Sequence, residues 1–435
     1  MRRTRSSSNR RSDGWLWAAL ALIVGLHLLA LPQAFQNTPL RADSDTAVML
    51  DAVQRHGALR WLWGDWLLEN GFYRPISSLS IALDYTLYGE ASWGFRLTNW
   101  LLMALTALGA WALARAYARL VGSPHADWLA LGVGVALSLQ QTGLTGIVAK
   151  WSAWWFVAAA VGVCISITGW ARHSRVSGFQ LLLMLGALFW GFDRLLGTEY
   201  TRLITWVPSR TALLGALFSV WAMYALVQGA TQRRGWQLAL GGGLYLLALG
   251  SYEQPIALVP LVGALAFWRR RDWGGWGARA FATVALGAAL ILALRFALLP
   301  AEPTTYQRQQ LRSSLSGPIF SYLTELLPPT GQWQYWRSVG TNLEVLLVDR
   351  AGWDHLAGTL LYLGVLTAAW RWRGLLGGAW LWHALAFLPM AFLHPFEHYM
   401  YLPQLGKTLF DVGLIAWGLE RLGTHLRTAG SLTGS

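Results

Sequence analysis

The feature that most constrains this chain is a succession of apolar stretches, each about 20 residues long, separated by breaks of which alternate ones are rich in arginine. In lipid every backbone amide must be satisfied within its own segment, so stretches of this length fold as helices. Twelve spans are expected, at 15–35, 95–114, 127–146, 151–170, 179–198, 209–229, 236–252, 254–268, 279–299, 353–370, 375–394 and 399–419. Composition agrees. Of 435 residues 55% are hydrophobic and only 13% charged, against about a quarter charged in ordinary soluble domains. So few charges could not cover a soluble core of this size, and a disordered chain would be far less apolar. The expected class is therefore all-α, a polytopic membrane protein of about 12 transmembrane helices. It comprises a basic N-terminus at 1–14, one transmembrane domain at 15–420 and a short tail at 421–435.

The net charge of +13 would raise nucleic-acid binding in a soluble protein. Here the basic residues fall between apolar segments, and Lys150 and Lys407 are the only lysines, so no nucleic-acid partner is expected. Topology explains the charge better. If the N-terminus, with Arg2, Arg3, Arg5, Arg10 and Arg11, is inside, alternate loops carry Arg115 and Arg119, Arg172 and Arg175, Arg233 and Arg234, Arg269 to Arg271 with Arg279, Arg371 and Arg373, and Arg421 and Arg427. Only Asp13, Asp127, Asp272 and Glu420 are acidic on that side. The pattern predicts both termini in the cytoplasm and an uncleaved signal anchor at the start. A bacterial inner (plasma) membrane fits the arginine richness and the basic N-terminus. Cys164 is the only cysteine, so neither an intrachain disulfide nor a cysteine zinc site is expected.

Two outside segments are long, 36–94 and 300–352, and loops of that size usually carry function or structure of their own. In the first, Asp45 is positioned to cap a helix over Ala47 to Trp63, with Val48, Leu50, Val53, Leu59 and Trp61 lying on the membrane surface. A second short helix fits Ile76 to Tyr88. In the other, Trp333, Tyr335 and Trp336 read as interfacial anchors.

Ionisable groups at membrane depth are costly, about 2.5–3.5 kcal/mol each at the centre on insertion scales. Here they gather at the outer ends of the spans: Asp43, Asp45, Arg74, Lys150, Asp193, Glu199, Arg202, Arg210, Glu253, Arg295, Glu397 and His398. Together they describe a polar cavity open to the outside, with acids for catalysis and cations for an anion. Singly, each is also what a scattered headgroup shell would hold. Asp43 and Asp45 could share a divalent cation such as Mg or Mn, or one could act as base beside the other, or one could simply cap a helix. Tyr73-Arg74-Pro75 offers a bidentate phosphate ligand or a snorkelling arginine. Pro208-Ser209-Arg210 offers an N-cap beside a cation, a good anion site. Ser251-Tyr252-Glu253-Gln254-Pro255 reads as a tight turn. His394 to Pro403 places Glu397 and His398 before the last span, where metal binding and phosphate contact are both open.

These segments, in this order, resemble those of GT-C membrane glycosyltransferases, in particular the protein O-mannosyltransferase-like, TPR-associated branch. Tyr73-Arg74-Pro75-Ile76, followed by Phe95-Arg96-Leu97-Thr98-Asn99, is similar to the first-loop signature Y-R-P-L … F-H-L-T-N, with Arg96 in place of His. Trp206-Val207-Pro208-Ser209-Arg210-Thr211-Ala212-Leu213-Leu214 resembles W-x-S-G-R-x-D-L-L, lacking the Gly and the acid. Ser251-Tyr252-Glu253 resembles S-K-E without its Lys. Glu397-His398-Tyr399-Met400-Tyr401-Leu402-Pro403 resembles E-R-Y-L-Y-L-P with His398 for Arg. The likeness covers roughly residues 15–420, and the TPR tail of that branch has no counterpart here.

The resemblance implies sugar transfer on the outer face, from a polyprenyl-phosphate-linked donor to a protein or glycan hydroxyl, within the lipid bilayer. Nucleotide sugars are cytoplasmic, so an outward site needs a donor presented by the membrane. The family's catalytic acid maps to Asp43 or Asp45, with Asp45 the better aligned. Arg74, Arg210 and His398, backed by Lys150 and Arg202, would meet the lipid phosphate. Glu253 and Glu397 would orient these cations, with Tyr73, Asn99 and Tyr401 supporting. The two missing cations also leave open a non-catalytic GT-C-like subunit or lipid-glycan binder. A transporter is disfavoured, because no pair of broken helices recurs in two halves.

Overall fold

In the computed structural model, the described residues are 8–36, 38–144, 200, 202–311, 318, 373–393 and 397–432. Their regular structure is helical. The helices are α1 (Ser8–Ala34), α2 (Ser44–His56), α3 (Pro75–Tyr88), α4 (Ser92–Leu120), α5 (Ala126–Thr142), α6 (Arg202–Thr205), α7 (Arg210–Gln232), α8 (Gly235–Leu249), α9 (Leu258–Trp268), α10 (Arg270–Trp273), α11 (Gly275–Leu298), α12 (Thr305–Gln310), α13 (Arg373–Ala391) and α14 (Tyr401–Leu432).

Among the described residues, four stretches are long and apolar enough to cross a membrane: Ser92–Leu120, Val207–Gln232, Gly275–Leu298 and Gly374–Ala391. The chain is therefore an all-α membrane protein over these residues, with four clear spanning helices where twelve spans were expected. Ala19–Ala34, Gly235–Leu249 and Gln254–Trp268 are apolar but shorter. The turn between the last two falls where the sequence places it: Gly250 to Pro255 ends α8 and starts a 3-10 turn, Gln254–Ala257, before α9. The spans expected at 151–170, 179–198 and 353–370 lie outside the described residues. The terminal boundaries shift as well, since α1 begins at Ser8 and α14 runs on to Leu432, inside the segment read as a tail.

The chain divides into two compact units. The first comprises Met1–Thr142, Tyr200–Gln310 and Phe396–Leu402. In it α4 packs against α1, α5 and α7, and α7 against α8. The α7–α8 contact is close: a Cβ at Gly241 would fall 2.7 Å from Leu226 Cγ. The second comprises Gly143–Glu199, Leu311–Pro395 and Pro403–Ser435. In it α13 and α14 meet at Gly406, where a Cβ would lie 2.8 Å from the Ala379 carbonyl oxygen.

The first long loop folds on itself. Leu50, Val53 and Trp61 do not lie on a membrane surface. They are buried with Met49, Trp66, Leu67, Ile81, Phe95 and Val207 in a local core, while Val48 and Leu59 are exposed. Burial against protein removes this apolar stripe from water as well as lipid would. The cap of α2 is Asp43 rather than Asp45: its Oδ2 accepts from Thr46 N at 2.9 Å and Thr46 Oγ1 at 2.6 Å. The second loop helix forms as expected, with Pro75 in the first turn of α3.

Candidate functional site

All of the site described here lies in the first unit. Its centre is Arg74, carried by the loop that enters α3. Asp65 shapes that loop by accepting from three backbone amides, Trp66 N (2.7 Å), Gly71 N (2.6 Å) and Phe72 N (2.9 Å). The turn needs Gly71 twice over. Its φ is +90°, a conformation that disfavours side chains. A Cβ there would also stand 2.7 Å from Gln307 Nε2. Thr304 Oγ1 and Gln307 Nε2 donate to the Asn70 and Gly71 carbonyls, at 2.9 and 2.7 Å, and so clasp the loop from outside.

So shaped, the loop sets Trp66 and Phe72 as walls around a cation. The Arg74 guanidinium carbon lies 4.2 Å from the Phe72 ring centroid, 4.7 Å from Tyr252 and 5.0 Å from Trp66. Arg74 Nε donates to Glu253 at 3.0 Å and Nη2 at 2.7 Å. The turn that supplies Glu253 is pinned to α3, because Ser77 Oγ donates to Ser251 O and Ile76 N to Gly250 O, both at 2.9 Å. Burial alone would favour loss of the Arg74 proton, but the Glu253 carboxylate reverses this and raises its pKa above the ordinary value. The Arg74 side chain is 11% exposed and that of Glu253 44%, so the ion pair opens to solvent on the carboxylate side.

His398 stands beside this pair. It lies in the 3-10 turn Glu397–Met400, its ring 5.0 Å from Trp206 and 4.5 Å from Tyr399. Gln254 Nε2 donates to Tyr399 O at 2.8 Å and ties this turn to the Glu253 segment. Burial, then the charges of Arg74 and Arg202, push the His398 pKa down to about 3. The imidazole is therefore neutral, in a field set by two cations. Arg202 is exposed, with its guanidinium 5.2 Å from the Trp206 ring.

Asp45 completes the cluster. It occupies the first turn of α2, half-buried, and makes no hydrogen bond among the described residues. Burial raises its pKa, and the Asp43 charge raises it further. Its field reaches Tyr306 on α12, whose pKa is raised by burial and by Asp45 and lowered by Arg74. Tyr306 also meets Phe72 edge to face at 6.3 Å. Arg74 thus acts on Glu253, His398 and Tyr306, and Asp45 is linked to this group through Tyr306.

Several expected site residues are elsewhere. Arg210 is fully buried and donates to Asn99 Oδ1 (2.5 Å), Ser80 Oγ (2.8 Å), Asp84 Oδ2 (2.6 Å) and the Phe95 carbonyl (3.0 Å). No donor points outward for a lipid phosphate, because these fixed acceptors compensate the cost of burying the charge. Ser209 likewise makes no cap hydrogen bond, as its Oγ donates to the Leu203 and Trp206 carbonyls. Asn99 belongs to the same lock, donating to Leu203 O at 3.0 Å. The Tyr73 hydroxyl donates to Leu62 O at 3.1 Å and holds the loop. Tyr401 is buried, accepts from Gln141 Nε2 and packs on Tyr200 at 5.4 Å. It supports the turn bearing His398 from within the helices. Lys150 and the side chain of Glu397 lie outside the described residues.

A divalent cation would have to use Asp43 and Asp45, and the fit is poor. Asp43 is turned inward onto Thr46, and among the described residues no three of His, Cys, Asp and Glu assemble. Sequence reasoning missed Trp66, Phe72, Tyr252, Tyr306 and Asp65. A legible signal was the pairing of Asp65 with Gly71 in a stretch rich in turn residues. No protein-family model matches the chain, and neither a curated protein nor a solved structure matches it.

Proposed function

We propose that this chain is a GT-C-type membrane glycosyltransferase. It would move a sugar from a polyprenyl-phosphate donor to a hydroxyl of a protein or glycan acceptor. The observation that carries the reading is Asp45, a half-buried carboxylate without a hydrogen bond among the described residues, which has Tyr306 as a neighbour in common with Arg74. The pairing of Arg74 with Glu253 adds support, since it joins two of the segments that carry the resemblance. In this reading the chain crosses the membrane twelve times with both ends inside, and the site faces outward.

In the proposed step Asp45 accepts the proton of the acceptor hydroxyl. The freed oxygen bonds to the anomeric carbon as the bond from that carbon to the phosphate oxygen breaks, and the electron pair leaves with the lipid phosphate. Arg202, exposed beside Trp206, and the outer edge of the Arg74–Glu253 pair would meet the developing charge. A raised pKa suits Asp45 as a base, because a more basic carboxylate removes a proton more readily.

The test is transfer of labelled sugar from polyprenyl-phosphate donors in membranes, comparing the unmodified chain with Asp45→Asn and Asp43→Asn at matched expression. Loss with Asp45→Asn alone supports the reading. Transfer that survives Asp45→Asn overturns the assignment of the base. One observation favours a second reading, a non-catalytic lipid-glycan-binding subunit: Arg210 is wholly committed to the core and Arg74 is already paired. A stable chain that binds but transfers nothing from a broad donor panel would establish that role instead.

A further inference from the structure

Opposite the site, the first unit carries a second charged surface. Helices α7, α8, α9 and α11 run back and forth in sequence, so the end of α7, the start of α8, the end of α9 and the start of α11 lie at one end. Two arginine turns meet there, Arg233-Arg234 between α7 and α8, and Arg269-Arg270-Arg271 between α9 and α11, with Arg279 in the second turn of α11. They are tied together by Trp273, which is buried and donates from Nε1 to Thr231 Oγ1 at 3.2 Å.

Asp272 is the one carboxylate in these turns, and Arg269 takes it at 2.8 Å. The other five arginines are exposed. Among the described residues the side chains of Arg233, Arg234, Arg270, Arg271 and Arg279 have no carboxylate partner. Arg270 lies over Phe267 at 4.5 Å and Arg279 over Trp276 at 4.6 Å. Trp236, Phe267 and Trp268 are exposed alongside. Topogenic charge asks only that arginines stand near helix ends. It does not ask for two arginine turns joined through a Trp273–Thr231 hydrogen bond and rimmed by rings suited to the boundary between acyl chains and headgroups.

We propose that this surface binds an anionic phospholipid carrying two phosphate groups, one at each arginine turn, with its acyl chains against Trp236, Phe267 and Trp268. Guanidinium forks take phosphate oxygens in pairs, and basic surfaces at helix ends are suited to such headgroups. The inference is independent of the transfer reaction.

The test uses the full chain purified in neutral detergent and titrated with diphosphatidylglycerol, phosphatidylglycerol, phosphatidylcholine or inorganic pyrophosphate, reading melting temperature and bound lipid by native mass spectrometry. Diphosphatidylglycerol should raise the melting temperature and stay bound. Arg233→Gln/Arg234→Gln/Arg271→Gln should need about a hundredfold more of it, at roughly 1 kcal/mol per arginine near an anionic surface. The control Arg55→Gln/Arg60→Gln/Arg308→Gln, which removes equal charge at the other end, should respond like the unmodified chain. If the first triple variant does not fold, Arg233→Lys/Arg234→Lys/Arg271→Lys keeps the charge without the forks and should still weaken retention. Unchanged retention in the variant that folds overturns the proposal, as does an equal response in the two Gln triples. Pyrophosphate reproducing the shift would overturn the lipid occupant, and phosphatidylglycerol matching at equal phosphate would overturn the two-phosphate pairing.

Discussion

Arg210 and Arg74 are both arginines in motif-like segments of the same unit, and they do opposite things. Arg210 is surrounded by fixed acceptors from α3 and α4, and none of its charge is offered outward. Arg74 has one carboxylate partner, and that partner is open to solvent, inside a cage of rings. A buried cation with every acceptor supplied by the protein fastens helices. A cation held by a single exposed carboxylate can exchange that partner for another anion. The accounting of donors and acceptors separates the two roles where the local sequence does not.

The largest effect expected on this contrast is at Arg210. Arg210→Met should strand Asp84 in the core and cost about 3–5 kcal/mol, read as loss of folded protein in detergent. Arg210→Met with Asp84→Met should recover much of the loss. If Arg210→Met instead folds normally and only weakens donor binding, the lock is misassigned.

Next comes the first turn of α2, where two aspartates divide the work. Asp45→Asn should abolish transfer with the melting temperature nearly unchanged. Asp43→Asn keeps the cap, since Asn caps as well as Asp, but removes the charge that helps hold Asp45 high. The acid limb of the pH–rate profile should then move to lower pH while activity at neutral pH persists. Asp43→Ala, by contrast, loses the cap and should cost about 1 kcal/mol. A pH profile that does not shift in Asp43→Asn would separate the two carboxylates electrostatically.

A smaller effect concerns His398. Its folded pKa, about 3, lies below the ordinary 6.5, so between these values the unfolded chain takes up a proton that the folded chain refuses. Stability should therefore be complete above pH 6.5 and decline as pH falls toward 3, and His398→Gln should flatten the decline. Bound phosphate should oppose it by drawing the imidazole toward protonation. The smallest change expected is Tyr73→Phe, which removes one hydrogen bond to Leu62 O and should cost about 1 kcal/mol.

Which parts of the molecule were legible follows from the range of the interactions. Helix α3 was, because Pro75 and the run to Tyr88 are local signals. So was the pairing of cations with Glu253, because both carry motif residues. Arg210 was misread because its main partner, Asp84, lies far off on another helix. A carboxylate in an apolar helix nonetheless demands a cation, and Ser80 and Asp84, one turn apart on α3, were its visible half. The cap was placed at Asp45 instead of Asp43 because either oxygen can reach an amide two or three residues on. The aromatic cage left no clear mark: with 28 tryptophans in the chain, nothing distinguishes Trp66 until the Asp65 turn folds it over Arg74.

The clasp of Thr304 and Gln307 on the Asn70–Gly71 loop bears on how the molecule is made. The loop that holds Arg74 is synthesised early, yet the side chains that fasten it are added 234 and 236 residues later, and His398 later still. During biogenesis the first loop must therefore wait, with its carbonyls open, while more than half of the chain is threaded into the bilayer. A nascent chain halted before Thr304 would present that loop to chaperones or proteases. Susceptibility of the Asn70–Gly71 bond in arrested chains would thus time the moment at which the site is closed.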